Sequence, residues 1–321
     1  MRLHEDKKLF RQAVRFTAQE MKIKDIYVEK DYWVCFVLYL IFKQEYRDDL
    51  LFKGGTSLTK CYGLLERFSE DIDLVVLKRQ GETETQLVRK RDSISQMVHE
   101  HLPEVDVEEF TKKTGANRRS VHSYNKEFKG DFGQVKDTIY IDASHMDIYE
   151  PHSSGMVNSY VGEMIEKTQP EMVSKYKLLP VKVKVLDPTR TICDKIMSLV
   201  RMSYTERPIE SFKGKIRHIY DLHMLLQHEK FNSFFNSPKF GRMMKDVIHH
   251  DRISYENIRG YMDRHPGDAI IFKDIDSIWR DISGTYNGSF AELAYGDLPS
   301  GEVIVKTMKR ISSRLSRLRG D

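Results

Sequence analysis

Apolar positions crowd the start of the chain. The stretch "DIYVEKDYWVCFVLYLIFK", positions 25–43, contains no proline or glycine. This dense pattern predicts helices over roughly the first 50 residues. A glycine turn follows, then a short expected helix "SLTKCYGLLERF" (57–68) and a strand "DIDLVVL" (71–77). A polar helical stretch comes next around "ETQLVRKRDSISQMVHEHL". In "TIYIDASHMDI" the apolar residues alternate, with Ile139 and Ile141 on one face and Tyr140 and Asp142 on the other. "PVKVKVLDP" alternates Val181, Val183 and Val185 with lysine, the period of a half-buried strand. Beyond Pro188 the pattern is helical. Ile304, Met308, Ile311, Leu315 and Leu318 form one stripe of a final amphipathic helix. These elements predict an α+β fold of two lobes: residues 1–185 with a palm-like mixed β-sheet and flanking helices, and residues 186–321, mostly helical.

A chain of 321 residues has room for two such domains. With 40% hydrophobic and 31% charged residues it reads as globular rather than disordered. The longest apolar run, "VCFVLYLIF" (34–42), is far shorter than the roughly 20 residues that span a bilayer. "MRLHEDKKLF" has charges where a signal peptide needs an apolar stretch. Cys35, Cys61 and Cys193 are odd in number and scattered, as befits reduced thiols. Cytoplasm is the expected compartment, and no membrane partner is expected. Net charge is only +4, from 52 basic and 48 acidic residues, so the mean field indicates no partner. Two basic stretches stand out: residues 112–130, and a tail with Lys306, Lys309, Arg310, Arg314, Arg317 and Arg319. Both could meet phosphates, and both could be ordinary solvated surface.

The densest chemistry lies in "LFKGGTSLTKCYGLLERFSEDIDLVV" (51–76). Asp71 and Asp73 are two apart on the expected strand, so both carboxylates leave one face. Held that close they repel unless a cation neutralises them, and oxygen donors suit a hard ion such as magnesium. D-x-D alone is weak, because it also occurs on solvated strands. Gly54 and Gly55 add a turn through which backbone N–H groups can approach an anion, while Thr56 and Ser57 add hydroxyls. An ordinary turn with Thr56 or Ser57 as helix cap is compatible with the same residues. Lys53 precedes the glycines, so this is not a Walker loop. Together these residues predict a phosphate cradle beside a metal-holding strand, the need of a nucleoside triphosphate. The 12 histidines include no set at zinc-site spacing.

"KGGTSLTKCYGLLERFSEDIDL" resembles the signature of the AbiEii/AbiGii toxin family of nucleotidyltransferases, within the polymerase-β-like superfamily. Gly55, Ser57, Asp71 and Asp73 match its G-S and D-x-D positions. "VEKDYW" (28–33) resembles its N-terminal helix, "VLDPTRTICDKIMSLV" its third motif and "KIRHIYDLHMLL" its fourth. The resemblance covers residues 28–226 in order. It implies an NTP in a cleft between the lobes and magnesium held by Asp71 and Asp73. It also implies Lys195 and Arg217 as nucleotide partners, and Asp221 as an essential acid. Read on its own, Lys195 lies on the apolar stripe of its helix, so it needs an anion there: a triphosphate or a structural carboxylate. Asp221, four residues after Arg217, could simply pair with it. The superfamily's third carboxylate would be Asp142, with Asp147 as competitor. The activity implied is in-line attack of an acceptor hydroxyl on the NTP α-phosphate. Its setting would be the toxin half of a bacterial toxin–antitoxin or phage-defence pair, with a cognate antitoxin. Some relatives extend the 3′ end of tRNA, so RNA is the expected acceptor. A transferase that modifies protein, and a non-catalytic RNA- or antitoxin-binding module, remain as other readings.

Overall fold

A computed structural model describes residues 1–108, 110–111, 117–146, 150–254, 259–261 and 263–318. Asp147, Lys112, Lys113 and Arg319, singled out above, lie outside the described residues. The chain divides into two compact units, Met1–Leu186 and Asp187–Asp321.

The first unit opens with helices α1 (Lys7–Met21) and α2 (Asp25–Ile41). Asp6 caps α1, its carboxylate accepting from the Leu9 N–H at 3.0 Å. Helix α2 is buried on all sides, so its apolar residues show no single stripe. Strand β1 (Leu50–Lys53) then leads directly into α3 (Gly54–Lys60), and β2 (Ile72–Leu77) follows after a long connection. Helix α4 (Glu84–His99) starts with a capping box between Thr83 and Gln86. Strands β3 (Asn117–His122), β4 (Ile139–Met146) and β5 (His152–Val157) come next. Short helices α5 (Tyr160–Thr168) and α6 (Pro170–Lys175) precede β6 (Val181–Leu186).

The six strands form one mixed sheet in the order β3-β4-β2-β1-β6-β5. β1 is antiparallel to β2 and parallel to β6, while β2 is parallel to β4. The edge pairs β3–β4 and β5–β6 are antiparallel. α4 packs across β2, β3 and β4 on one face.

The helix expected over 57–68 needs correcting. Helix α3 begins at Gly54 and ends at Lys60, and Gly63 takes φ +61, which reverses the chain. Leu65 and Phe68 are buried in the connection that follows, Phe68 stacking on Tyr27 at 5.1 Å between ring centres. Their apolar spacing therefore reflects tertiary packing rather than a helix.

The second unit is helical in all its regular elements among the described residues. Its elements are α7 (Pro188–Met202), α8 (Pro208–Gly214), α9 (Ile216–Gln227), α10 (Glu229–Asn236), α11 (Pro238–Ser254), α12 (Ile270–Lys273), α13 (Ile275–Thr285) and α14 (Gly301–Arg317). α7 packs against α9 and α11, and α14 against α9 and α13. Ile304, Met308, Ile311 and Leu315 of α14 are all buried, as their spacing predicts.

Candidate active site

Register decides what the first unit brings together. Lys53 on β1 pairs with Asp73 on β2, Asp73 pairs with Asp142 on β4, and Asp142 pairs with Arg119 on β3. Side chains at paired positions leave the sheet on the same face. Four neighbouring strands thus carry a transverse row with charges +, −, −, +. Asp71 precedes β2 by one residue. Asp71, Asp73 and Asp142 are each half-buried.

The start of α3 lies against this row. Gly54 has φ +83, and a methyl group built on it would overlap Oδ2 of Asp73 and sit 3.1 Å from its Cγ. Glycine is required here twice over, for its backbone conformation and for the carboxylate pressed against it. The Thr56 and Ser57 hydroxyls are both turned inward. Thr56 Oγ1 shares a 2.9 Å hydrogen bond with Ser69 Oγ, tying the first turn of α3 to the segment just before Asp71. Ser57 Oγ donates to the Gly54 carbonyl at 2.9 Å, and neither hydroxyl caps the helix. Gly55 is the second residue of α3.

The "VEKDYW" segment positions this machinery from behind. Glu29, Lys30 and Asp31 are all fully buried. Glu29 accepts from the N–H groups of Glu127 and Phe128 at 2.7 and 3.2 Å, and Lys30 donates to the Lys136 carbonyl. Asp31 pairs with Lys60 at the end of α3 and accepts from the Tyr160 N–H at 2.7 Å. The Lys60 ammonium also lies 3.5 Å from the Tyr160 ring centre. Burial pushes the Glu29 carboxyl up to about 7, against the pull of its two backbone donors.

In the second unit, Lys195 on α7 and Asp221 on α9 form a buried ion pair at 2.7 Å. The two motif residues therefore meet, with a carboxylate in the place where an anion was required. Arg217 lies one turn before Asp221 on α9 and is half-buried.

The basic stretches are largely engaged within the chain. Arg118 bonds Ser95 and Glu104 on the α4 side, Arg119 bonds Asp142, and Lys126 bonds Asp137. On α14, Lys309 pairs with Asp276, Arg310 bonds Asn232, and Arg314 donates to the carbonyls of Phe235 and Ser237. The sequence set Arg119 within a basic stretch that could meet phosphates or be ordinary solvated surface, and gave Lys53 no role. Both belong to the carboxylate row, which no motif spacing announces because only strand register creates it.

Asp71, Asp73 and Asp142 offer an all-oxygen donor set suited to a hard divalent cation. Oδ2 of Asp73 occupies the space that a Cβ on Gly54 would fill. Among the described residues, no three acidic, histidine or cysteine side chains converge closely enough to ligate one ion.

A mixed sheet with paired carboxylates beside a glycine turn defines a nucleotidyltransferase-type fold. One solved structure shares the fold: MenT4, a nucleotidyltransferase toxin from Mycobacterium tuberculosis H37Rv, matches with TM-score 0.50 and 14% identity over 96% of this chain and 98% of that one. A crystal structure from H. pylori, provisionally assigned as a nucleotidyltransferase, matches with TM-score 0.41 and 16% identity over 88% of this chain and 94% of that one. No curated protein matches the chain by sequence. The profile of the nucleotidyl transferase AbiEii toxin family, of type IV toxin–antitoxin systems, matches residues 37–296. The chain belongs to that family of toxin nucleotidyltransferases. No helix among the described residues is long and apolar enough to cross a membrane.

Proposed function

We propose that this toxin transfers a nucleoside monophosphate from an NTP to an RNA acceptor, the 3′ end of a tRNA, in the bacterial cytoplasm. Its setting is a toxin–antitoxin or phage-defence pair in which a cognate antitoxin restrains it. The observation that carries the reading is the side-by-side register of Asp73 and Asp142 next to the Gly54 turn. Asp71 and Asp73 hold Mg2+, which when bound neutralises charge on the phosphates. Asp142 completes that donor set or takes the proton of the attacking hydroxyl. Gly54, Gly55, Thr56 and Ser57 flank the triphosphate. The backbone N–H groups face it there, and the inward hydroxyls keep the turn in shape. Lys195 and Arg217 serve the nucleotide, and Asp221 orients Lys195 through their ion pair.

Incubation of the purified chain with α-phosphate-labelled NTPs and total tRNA tests this. Label should enter tRNA ends in the presence of Mg2+ and vanish in Asp71→Asn and Asp73→Asn, whose melting temperatures stay at or above wild type because like-charge repulsion is relieved. Label that resists ribonuclease and runs with protein would replace the RNA acceptor with a protein one. Full activity in either variant would remove these carboxylates from the reaction.

A further inference from the structure

Asp142 does not converge with Asp71 and Asp73 on a common point. It is held from the sheet edge: Arg119 Nε donates to Asp142 Oδ2 at 2.8 Å, and the register makes the two direct cross-strand partners. β3 is an edge strand with β4 as its single neighbour in the sheet, so the guanidinium reaches Asp142 from the rim. Its neighbour Arg118 points to the other face, where Glu104 and Ser95 hold it and it is 14% exposed. Arg119, by contrast, is 51% exposed and Asp142 34%. Exposed pairs contribute roughly 0–1 kcal/mol, so this one adds little to stability and separates readily. A dication offers a carboxylate twice the charge of a guanidinium in a smaller volume.

We propose that Arg119 is a positioning residue that holds the Asp142 carboxylate away from Asp71 and Asp73 until a divalent cation draws it in. The inference rests on the metal-site reading of Asp71 and Asp73. Lys53 and Arg119 bracket the two strand carboxylates with opposite charge and offset part of their repulsion. Entry of the cation exchanges the Arg119–Asp142 hydrogen bond for a carboxylate–cation contact. The charge of Arg119 thus competes with the cation for one ligand, which sets the concentration at which the site fills. The same competition predicts that cation binding releases the Arg119 guanidinium from Asp142.

Mn2+ binding to the full chain without nucleotide, followed by electron paramagnetic resonance, tests the idea apart from turnover. Wild type should bind Mn2+ at a site that Asp73→Asn abolishes. Arg119→Ala and Arg119→Gln should bind it up to about fivefold more tightly, the most that an exposed pair of this kind can withhold. Arg119→Lys, which keeps the competing charge, should stay near wild type. In an Asp142→Asn background, Arg119→Ala should change nothing further. The Mg2+ concentration for half-maximal transfer should fall by the same factor in Arg119→Ala and Arg119→Gln. If wild type binds Mn2+ through Asp73 yet both variants bind it equally or more weakly, Arg119 does not restrain Asp142, while the metal site stands. If wild type binds no Mn2+ sensitive to Asp73→Asn, the metal site and this inference fall together.

Discussion

At the scale of single residues, Gly54 is the position where backbone and chemistry depend on each other most directly. An alanine there faces a left-handed φ of +83 and an overlap with the Asp73 carboxylate. The backbone strain alone costs about 1–2 kcal/mol. Gly54→Ala should lower the melting temperature and cut nucleotide transfer at least about tenfold, because the carboxylate that must move is the one proposed to hold the cation. Gly63→Ala is the matched comparison. Its φ is +61 and its Cβ would meet nothing within 4 Å, so it should lose similar stability and keep its transfer rate. Equal loss of transfer in the two variants, measured at a temperature where both are folded, would show that the Asp73 contact is immaterial. Lys195 makes a related point. Its apolar surroundings demand an anion, and the chain supplies Asp221 at 2.7 Å.

At the scale of elements, α2 acts as the post to which the site is fastened. Three consecutive charged residues reach four different segments: Glu29 the backbone at 127–128, Lys30 the carbonyl of Lys136, and Asp31 both α3 and the start of α5. A helical turn spreads consecutive side chains about 100° apart, so a run of three serves three directions. Glu29 has a consequence for pH. Burial raises its folded pKa from 4.5 to about 7, so between those values the folded chain keeps a proton that the unfolded chain has lost. Stability from this group is therefore greatest below the lower value, declines as pH rises through the window, and levels off above about 7. Chemical denaturation of wild type and Glu29→Gln across that range should show a steeper decline in wild type. Parallel curves would mean that Glu29 titrates as an ordinary carboxylate.

At the scale of the whole molecule, a net charge of +4 on 321 residues leaves little long-range field, and much of the local positive charge is already matched. Lys126 lies 2.5 Å from Asp137 and Lys309 lies 2.8 Å from Asp276. A cation already neutralised by its neighbour releases few counterions from RNA. Lys126→Ala and Lys309→Ala should each change the log–log slope of tRNA affinity against salt by well under the roughly 0.7 expected for one single-strand phosphate contact. A loss of a full phosphate's slope in either, read by fluorescence anisotropy, would show that the lysine leaves its carboxylate for RNA.

What the sequence determined by itself was local and periodic. The stripe of α14, the alternation of β4 and β6, the polar helix α4, and the glycine turn with its D-x-D were all legible, because each follows from spacing along one segment. Strands β3 ("NRRSVH") and β5 ("HSSGMV") were not legible, since they are the two edges of the sheet and carry few apolar residues. β1 is too short for a period to show, with 4 residues. The D-x-D motif named two carboxylates, and the likeness to a family pointed to Asp142. Only the parallel register of β2 and β4 set Asp142 beside Asp73, and only the β3 edge put Arg119 on it. Register arises from packing between strands distant in the chain, where a shift of one residue would turn every side chain to the opposite face. That information is held in the assembled sheet and in no single stretch of sequence.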